Sequence, residues 1–245
     1  PLRLVGSEMC IRDSCLVIAV CIFQFLLGNP SNFMNNDPNN HPLNMLGTIY
    51  KGGIIVPIIQ TLLLTVLALS IERYFALRSA FGKGSLSKFV ANIKDALAAG
   101  DMKKAQEICD KQRGSVANVV TSTLRKYEEM EKNTSLPKEQ KLLAIQKELE
   151  EATALEMPMM QQNLPIIATI TTLGTLMGLL GTVIGMIRSF AALSAGGGAD
   201  SMALSQGISE ALINTAFGIL TGALAVISYN YYTNKIDKLT YGLDE

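Results

Sequence analysis

The chain has 245 residues, 49% of them hydrophobic and only 17% charged, with 21 basic and 21 acidic side chains in balance. Soluble domains carry about 25% charge, so this composition argues against an ordinary soluble globule. No basic patch with interleaved aromatics points to nucleic acid, and no phosphate-binding loop, nucleophile–base pair or metal-ligand spacing points to an enzyme or a bound cofactor.

The opening stretch "PLRLVGSEMCIRDS", residues 1–14, resembles a translated adapter or cloning scar and is set aside from fold reasoning. Residues 15–28 form an apolar run of about 14 residues, short for a span, and are expected to be the remainder of a truncated first transmembrane helix. A signal peptide is the alternative, although no small-residue cleavage site follows. Residues 29–50 contain "NNDPNNHP", carry no Lys or Arg, and are expected to form an outward, periplasmic loop. The lone His41 lies in that loop. Cys10, Cys15, Cys21 and Cys109 show no pairing pattern.

Residues 51–76 are expected to form the second span, with Gly52–Ile71 free of Lys and Arg. Fifteen of the 21 Lys and Arg fall between Arg73 and Lys147, and Lys235 and Lys238 follow the last apolar run. This asymmetry predicts that residues 77–160 and the tail 232–245 are cytoplasmic. The cytoplasmic region reads as helices. Ser85 starts one that stops at Gly100, Asp101 caps the next to about Lys111, and a third covers about Val116–Met130. A fourth runs from Lys138 to about Met157, with Leu142, Ile145, Leu149 and Leu155 at helical spacing. Pro158 and Pro165 are expected to bend or break its run into the membrane.

Residues 161–193 and 202–231 then form a hairpin of spans separated by "SAGGGADS", residues 194–201. On the first helix Thr171, Thr175, Gly178, Thr182, Gly185 and Ser189 follow at steps of four or three. On the second Gln206, Glu210, Asn214, Phe217 and Thr221 share a face, with Thr215 on its edge. The pairs Gly174/Gly178, Gly181/Gly185 and Gly218/Gly222 allow close helix approach. Packing alone would explain the glycines, but it does not explain Glu210. From Met202 to Glu210 the helix rises roughly 12 Å, which puts a carboxylate inside the apolar region, where such groups are costly and face a bundle interior or a water path. Poor hydration makes the protonated form of a carboxyl accessible, the property a proton relay requires. Arg188 is a distant counter-charge or an interfacial residue whose head reaches water.

The stretches "MGLLGTVIGMIRSF" and "GISEALINTAFGILTGALAVISYNYY" resemble the MotA/TolQ/ExbB family of proton-channel subunits, strongly over residues 161–232 and more loosely over "IERYFALRSA" and the Gly100–Asp101 region. That resemblance implies an all-α polytopic membrane protein with three to four transmembrane helices, a helical cytoplasmic region and long helices leaving the membrane. It implies a homopentamer in the bacterial inner membrane, around a dimer of an ExbD-type single-span partner carrying a membrane Asp, with a TonB-type protein as the energised component. It also implies roles for Thr182 in "GTV", Glu210 in "SEAL" and Thr215 in "NTAFG": Glu210 in the proton path, the two threonines facing the partner's Asp. Thr171, Thr175, Gly178, Gly185, Asn214 and Thr221 are the pore-lining candidates. "SEAL" and the small cytoplasmic region look most like ExbB, with TolQ and the flagellar stator as alternatives. Arg188 departs from the Asn or His of familiar ExbB and TolQ sequences. From a different class, a passive scaffold would use the polar stripes for oligomerisation only, while an intramembrane protease lacks its paired Asp or nucleophile–base set.

Overall fold

The computed structural model describes residues 2–38, 40–133, 135–195 and 201–244. Helices carry the fold, and among the described residues the one β feature is an isolated bridge between Phe33 and Pro42. In chain order they are α1 (Leu2–Cys21), α2 (Met45–Tyr50), α3 (Ile55–Phe81), α4 (Leu86–Ala98), α5 (Met102–Gln112), α6 (Ser115–Lys132), α7 (Lys138–Gln161), α8 (Leu164–Ala195) and α9 (Ser201–Asp244). Four stretches are long and apolar enough to cross a bilayer: Met9–Leu27, Ile55–Ala98, Lys138–Ala191 and Leu204–Tyr241. The chain is an all-α polytopic membrane protein, in which each span satisfies its own backbone polar groups. It divides into two compact units, one of Pro1–Ser70 with Ile166–Tyr229, the other of Ile71–Pro165 with Asn230–Glu245.

In the first unit α1 continues without a break into a π-helical stretch, Ile22–Leu27. The apolar helix is therefore longer than the run at 15–28 indicates, and the first candidate span has 19 residues. The segment that follows has a hydrogen-bonded core of its own. Buried Asn32 donates from Nδ2 to the carbonyls of Leu26 (2.8 Å) and Leu27 (3.0 Å), closing the end of the π-helical turn. Asn44 donates to Asn32 Oδ1 and accepts from Gly47 N, so one side chain caps α2 and joins it to that turn. Phe33, 1% exposed, packs edge-on against Tyr50. Residues 196–200, the centre of the expected hairpin turn, lie outside the described residues.

In the second unit, capping chemistry sets the helix ends. Gly100 takes φ +70° after α4, and the Asp101 carboxylate accepts from Lys104 N at the start of α5. Helix α6 packs on α7 through a buried face that includes Val116, Val119, Leu124 and Ala152. Pro158 is accommodated inside α7, which ends three residues later at Gln161. Pro165 sits in the first turn of α8, where its missing N–H costs nothing. The break is made by Asn163, a buried residue at φ +65°. Arg73, 3% exposed, donates from Nη1 to the carbonyls of Met159 (3.1 Å) and Met160 (3.4 Å), two of the acceptors left open where α7 stops. Its charge is matched by Glu72, which also accepts from Asn163 Nδ2 at 3.1 Å. The Glu72–Arg73 dipeptide thus holds the end of α7 and the break residue Asn163.

Candidate functional site

Helices α8 and α9 pack along a seam of small residues. A methyl group built on Gly218 would lie 2.6 Å from both Gly174 O and Gly178 Cα, and one on Gly185 would lie 2.9 Å from Ala211 Cβ. Gly207 meets the Ser189 side chain, and Gly181 meets that of Asn214. The two backbones therefore touch over four helical turns, an approach that only residues lacking a Cβ permit.

This contact sorts the polar residues. Gly178, Gly185, Asn214 and Thr221, the expected pore-lining candidates, are buried in the α8–α9 seam within this chain, Asn214 at 1% and Thr221 at 0% exposure. Asn214 uses its amide to fasten α9 to the start of the second span, donating from Nδ2 to Gly52 O at 3.0 Å. Thr221 returns its hydroxyl to Phe217 O at 2.8 Å. Thr171 and Thr182 are half-buried and Thr175 is exposed, and each donates to a carbonyl of its own helix, Thr182 to Leu179 O at 2.6 Å. Thr215 stands at the seam's edge, its hydroxyl 3.3 Å from both Gly178 O and Ala211 O.

Glu210 lies at the upper end of the seam, where Oε1 accepts from Arg188 Nη1 at 2.9 Å. The carboxylate side chain is 12% exposed and the guanidinium side chain 55%. Arg188 is thus a direct partner of Glu210 across the hairpin, not a distant counter-charge. The sequence held the signal for this pair. The two residues stand equally far from position 199, the middle of the Gly-rich stretch, and antiparallel register brings equidistant positions together. The start of the second span closes over the pair: a Cβ on Gly53, whose φ is +73°, would lie 2.6 Å from Glu210 Oε1 and 3.1 Å from Arg188 Nη1. Glycine there lets the backbone approach both charged groups. Lys51, two residues earlier, lies within electrostatic range of Asp37 and Glu210. The site is therefore a carboxylate within an apolar span, bound to one exposed cation and within electrostatic range of a second. Chemically it can accept a proton and, on doing so, release Arg188.

Residues 112–245 match the model of the MotA/TolQ/ExbB proton channel family. Over 86 residues the chain is 36% identical to an ExbB-like 3 biopolymer transport protein of Synechocystis sp., an overlap of 34% of this chain and 41% of that protein. It is 31% identical over 198 residues to an ExbB-like 1 biopolymer transport protein of the same organism, covering 76% of this chain and 69% of the relative. The Tol-Pal system protein TolQ of Pseudomonas aeruginosa is 24% identical over 194 residues, covering 74% of this chain and 81% of the relative. The chain spans less than half the length of the first of these.

Proposed function

The chain belongs to the MotA/TolQ/ExbB proton channel family, and on that premise we propose that it is a proton-conducting subunit of the bacterial inner membrane that energises TonB-dependent outer-membrane transport. The observation that carries this reading is Glu210, a protonatable carboxylate in an apolar span held by a breakable ion pair to Arg188. In the proposed cycle a proton arriving at Glu210 removes the charge that holds Arg188, whose half-exposed side chain swings away. Deprotonation restores the pair. A homopentamer of this chain surrounds an ExbD-type single-span partner, and Thr182 and Thr215 face that partner's membrane Asp. ExbB-like relatives favour the TonB branch, while the TolQ relative keeps a Tol-Pal role as the second reading.

The test is restoration of TonB-dependent uptake in cells lacking their own ExbB protein. Wild type restores uptake, and Glu210→Gln does not, although the complex still assembles. A passive scaffold requires that Glu210→Gln, nearly isosteric, remain active. Because Glu210→Gln leaves Arg188 unpaired, the double variant Arg188→Gln/Glu210→Gln is the decisive arm. If it restores uptake, the pair is structural and Glu210 carries no proton. Restoration of Tol-Pal-dependent envelope integrity without uptake assigns the chain to the TolQ branch.

A further inference from the structure

The sequence shows no basic patch interleaved with aromatics, but the fold assembles one from three separate stretches. In the second unit a cavity of about 960 Å³ opens between the end of α3, the α5–α6 corner and α9. Its lining includes Arg78, Lys83, Arg113 and Lys235, and no carboxylate. Among the described residues none of these four takes part in an ion pair. Four like charges around one concavity repel each other unless an anion sits among them.

The cavity is held open by specific backbone features. Gln112, 6% exposed, donates from Nε2 to Phe81 O at 2.8 Å, and its own carbonyl accepts from Lys83 N at 2.7 Å. These bonds tie the residues after α3 to the corner that carries Arg113. A Cβ at Gly114 would lie 2.6 Å from the carbonyls of Ser79 and Ala80, so the corner closes onto α3 only because that residue is glycine. Arg113 itself stands at φ +54°, a strained backbone for an arginine. Lys235 is positioned by cation–π contacts, 4.7 Å from the Tyr231 ring centroid and 5.8 Å from that of Tyr74.

The surroundings identify the source of the anion. The cavity lies where the apolar runs of α3 and α9 give way to charge, and Tyr74 and Phe75 line it. Ile71, Phe75 and Arg78 follow at steps of four and three on α3, and the two apolar side chains are 59% and 62% exposed. One helix face thus presents hydrocarbon first and a cation one turn later, the order in which a phospholipid presents its chain and its phosphate.

We propose that this cavity binds the phosphodiester headgroup of an anionic phospholipid, with an acyl chain lying along Ile71 and Phe75. Arg78, Lys83, Arg113 and Lys235 meet the phosphate, and the aromatic rings flank the glycerol region. This site is separate from the Glu210–Arg188 pair, and its occupancy requires neither a partner protein nor a proton gradient.

The full chain in detergent, titrated with phosphatidylglycerol or phosphatidylcholine and read by native mass spectrometry, tests the proposal. Wild type retains one phosphatidylglycerol per subunit in strong preference to phosphatidylcholine. Each cation near a lipid surface contributes roughly fivefold in affinity, so Lys235→Gln weakens retention about fivefold and the triple variant Arg78→Gln/Lys83→Gln/Arg113→Gln about a hundredfold. The triple variant Lys103→Gln/Lys104→Gln/Lys111→Gln, equal in charge but outside the cavity, keeps wild-type retention. Equal retention of the two lipids, or an equal loss in the control triple variant, overturns the proposal. Displacement by inorganic phosphate or by glycerophosphoglycerol at the lipid's own concentration makes this a soluble-anion site and overturns the lipid assignment.

Discussion

Gly218→Ala is the sharpest probe of the hairpin seam. The new methyl carbon would stand 2.6 Å from Gly174 O and Gly178 Cα and 2.9 Å from Gly178 N. All three are backbone atoms, so no side-chain rotation relieves the contact. Ordinary Cβ contacts begin near 3.4 Å, so the helices must part by about 0.8 Å. That separation also loosens the neighbouring approaches of Gly178 to Asn214 and of Gly185 to Ala211. Overpacking of this kind costs about 1–3 kcal/mol, against a gain of about 1 kcal/mol from replacing a helical glycine with alanine. Because the contacts are all with backbone, the upper half of that range applies, and the expected net loss is about 1–2 kcal/mol. Gly174→Ala supplies the internal comparison, because its methyl would meet neighbours at 3.1–3.3 Å and needs only a few tenths of an ångström. There the two effects nearly cancel, to within about 0.5 kcal/mol. Unfolding by sodium dodecyl sulfate in mixed micelles, followed by helical circular dichroism, measures both. Wild-type or greater stability for Gly218→Ala, or a larger loss for Gly174→Ala, refutes the close-packed seam.

The same titration checks the break between α7 and α8. Asn163→Gly relieves the φ of +65° but loses the bond to Glu72, whereas Asn163→Ala loses the bond and keeps the strain. The alanine variant should be the less stable by about 1 kcal/mol, and the reverse order would remove Asn163 as the cause of the break. Cys109 gives a pH signature. Burial pushes its thiol above the ordinary range, only partly offset by a hydrogen bond with Thr121, with Asp110 adding a smaller upward push. A raised folded-state pKa makes a contribution that is complete below the unfolded thiol value, about 8.5, and is lost as pH rises past the folded value. Stability relative to Cys109→Ala should therefore fall as pH rises above the ordinary thiol value, and a pH-independent difference would show that the thiol is not desolvated.

Much of this architecture was legible in the residues. Apolar length marks the second span and the hairpin, Gly100 and Asp101 punctuate the helices of the second unit through local φ and capping, and glycines four apart announce the seam. Local chemistry sets all of these. The face on which each polar residue ends up was less legible, because a stripe of Thr, Gly and Asn looks the same whether it lines a pore or packs on a neighbour. Within this chain Gly178, Gly185, Asn214 and Thr221 are buried in the seam, while Thr175 is exposed. The Glu210–Arg188 pair needed the register of two helices as well as their faces. The basic cavity needed residues from positions 78–83, 113 and 235 brought together, and no window along the chain contains them. Gly53 gave no sign in sequence of its approach to the ion pair, since its contact is made by the backbone.

The ion pair across the hairpin also bears on how this protein enters a bilayer. Arg188 and Glu210 each lie in an apolar stretch that an insertion machinery would test by hydrophobicity. A charge at the centre of a lone helix costs about 2.5–3.5 kcal/mol on such scales, less near an interface. Neither residue can offset that cost by itself, because each finds its partner only on the other helix, 2.9 Å away in the finished fold. Helices delivered one at a time would each carry an unmatched charge, whereas a pair delivered together arrives electrically neutral. The bilayer therefore favours co-insertion, with the hairpin as the unit of biogenesis.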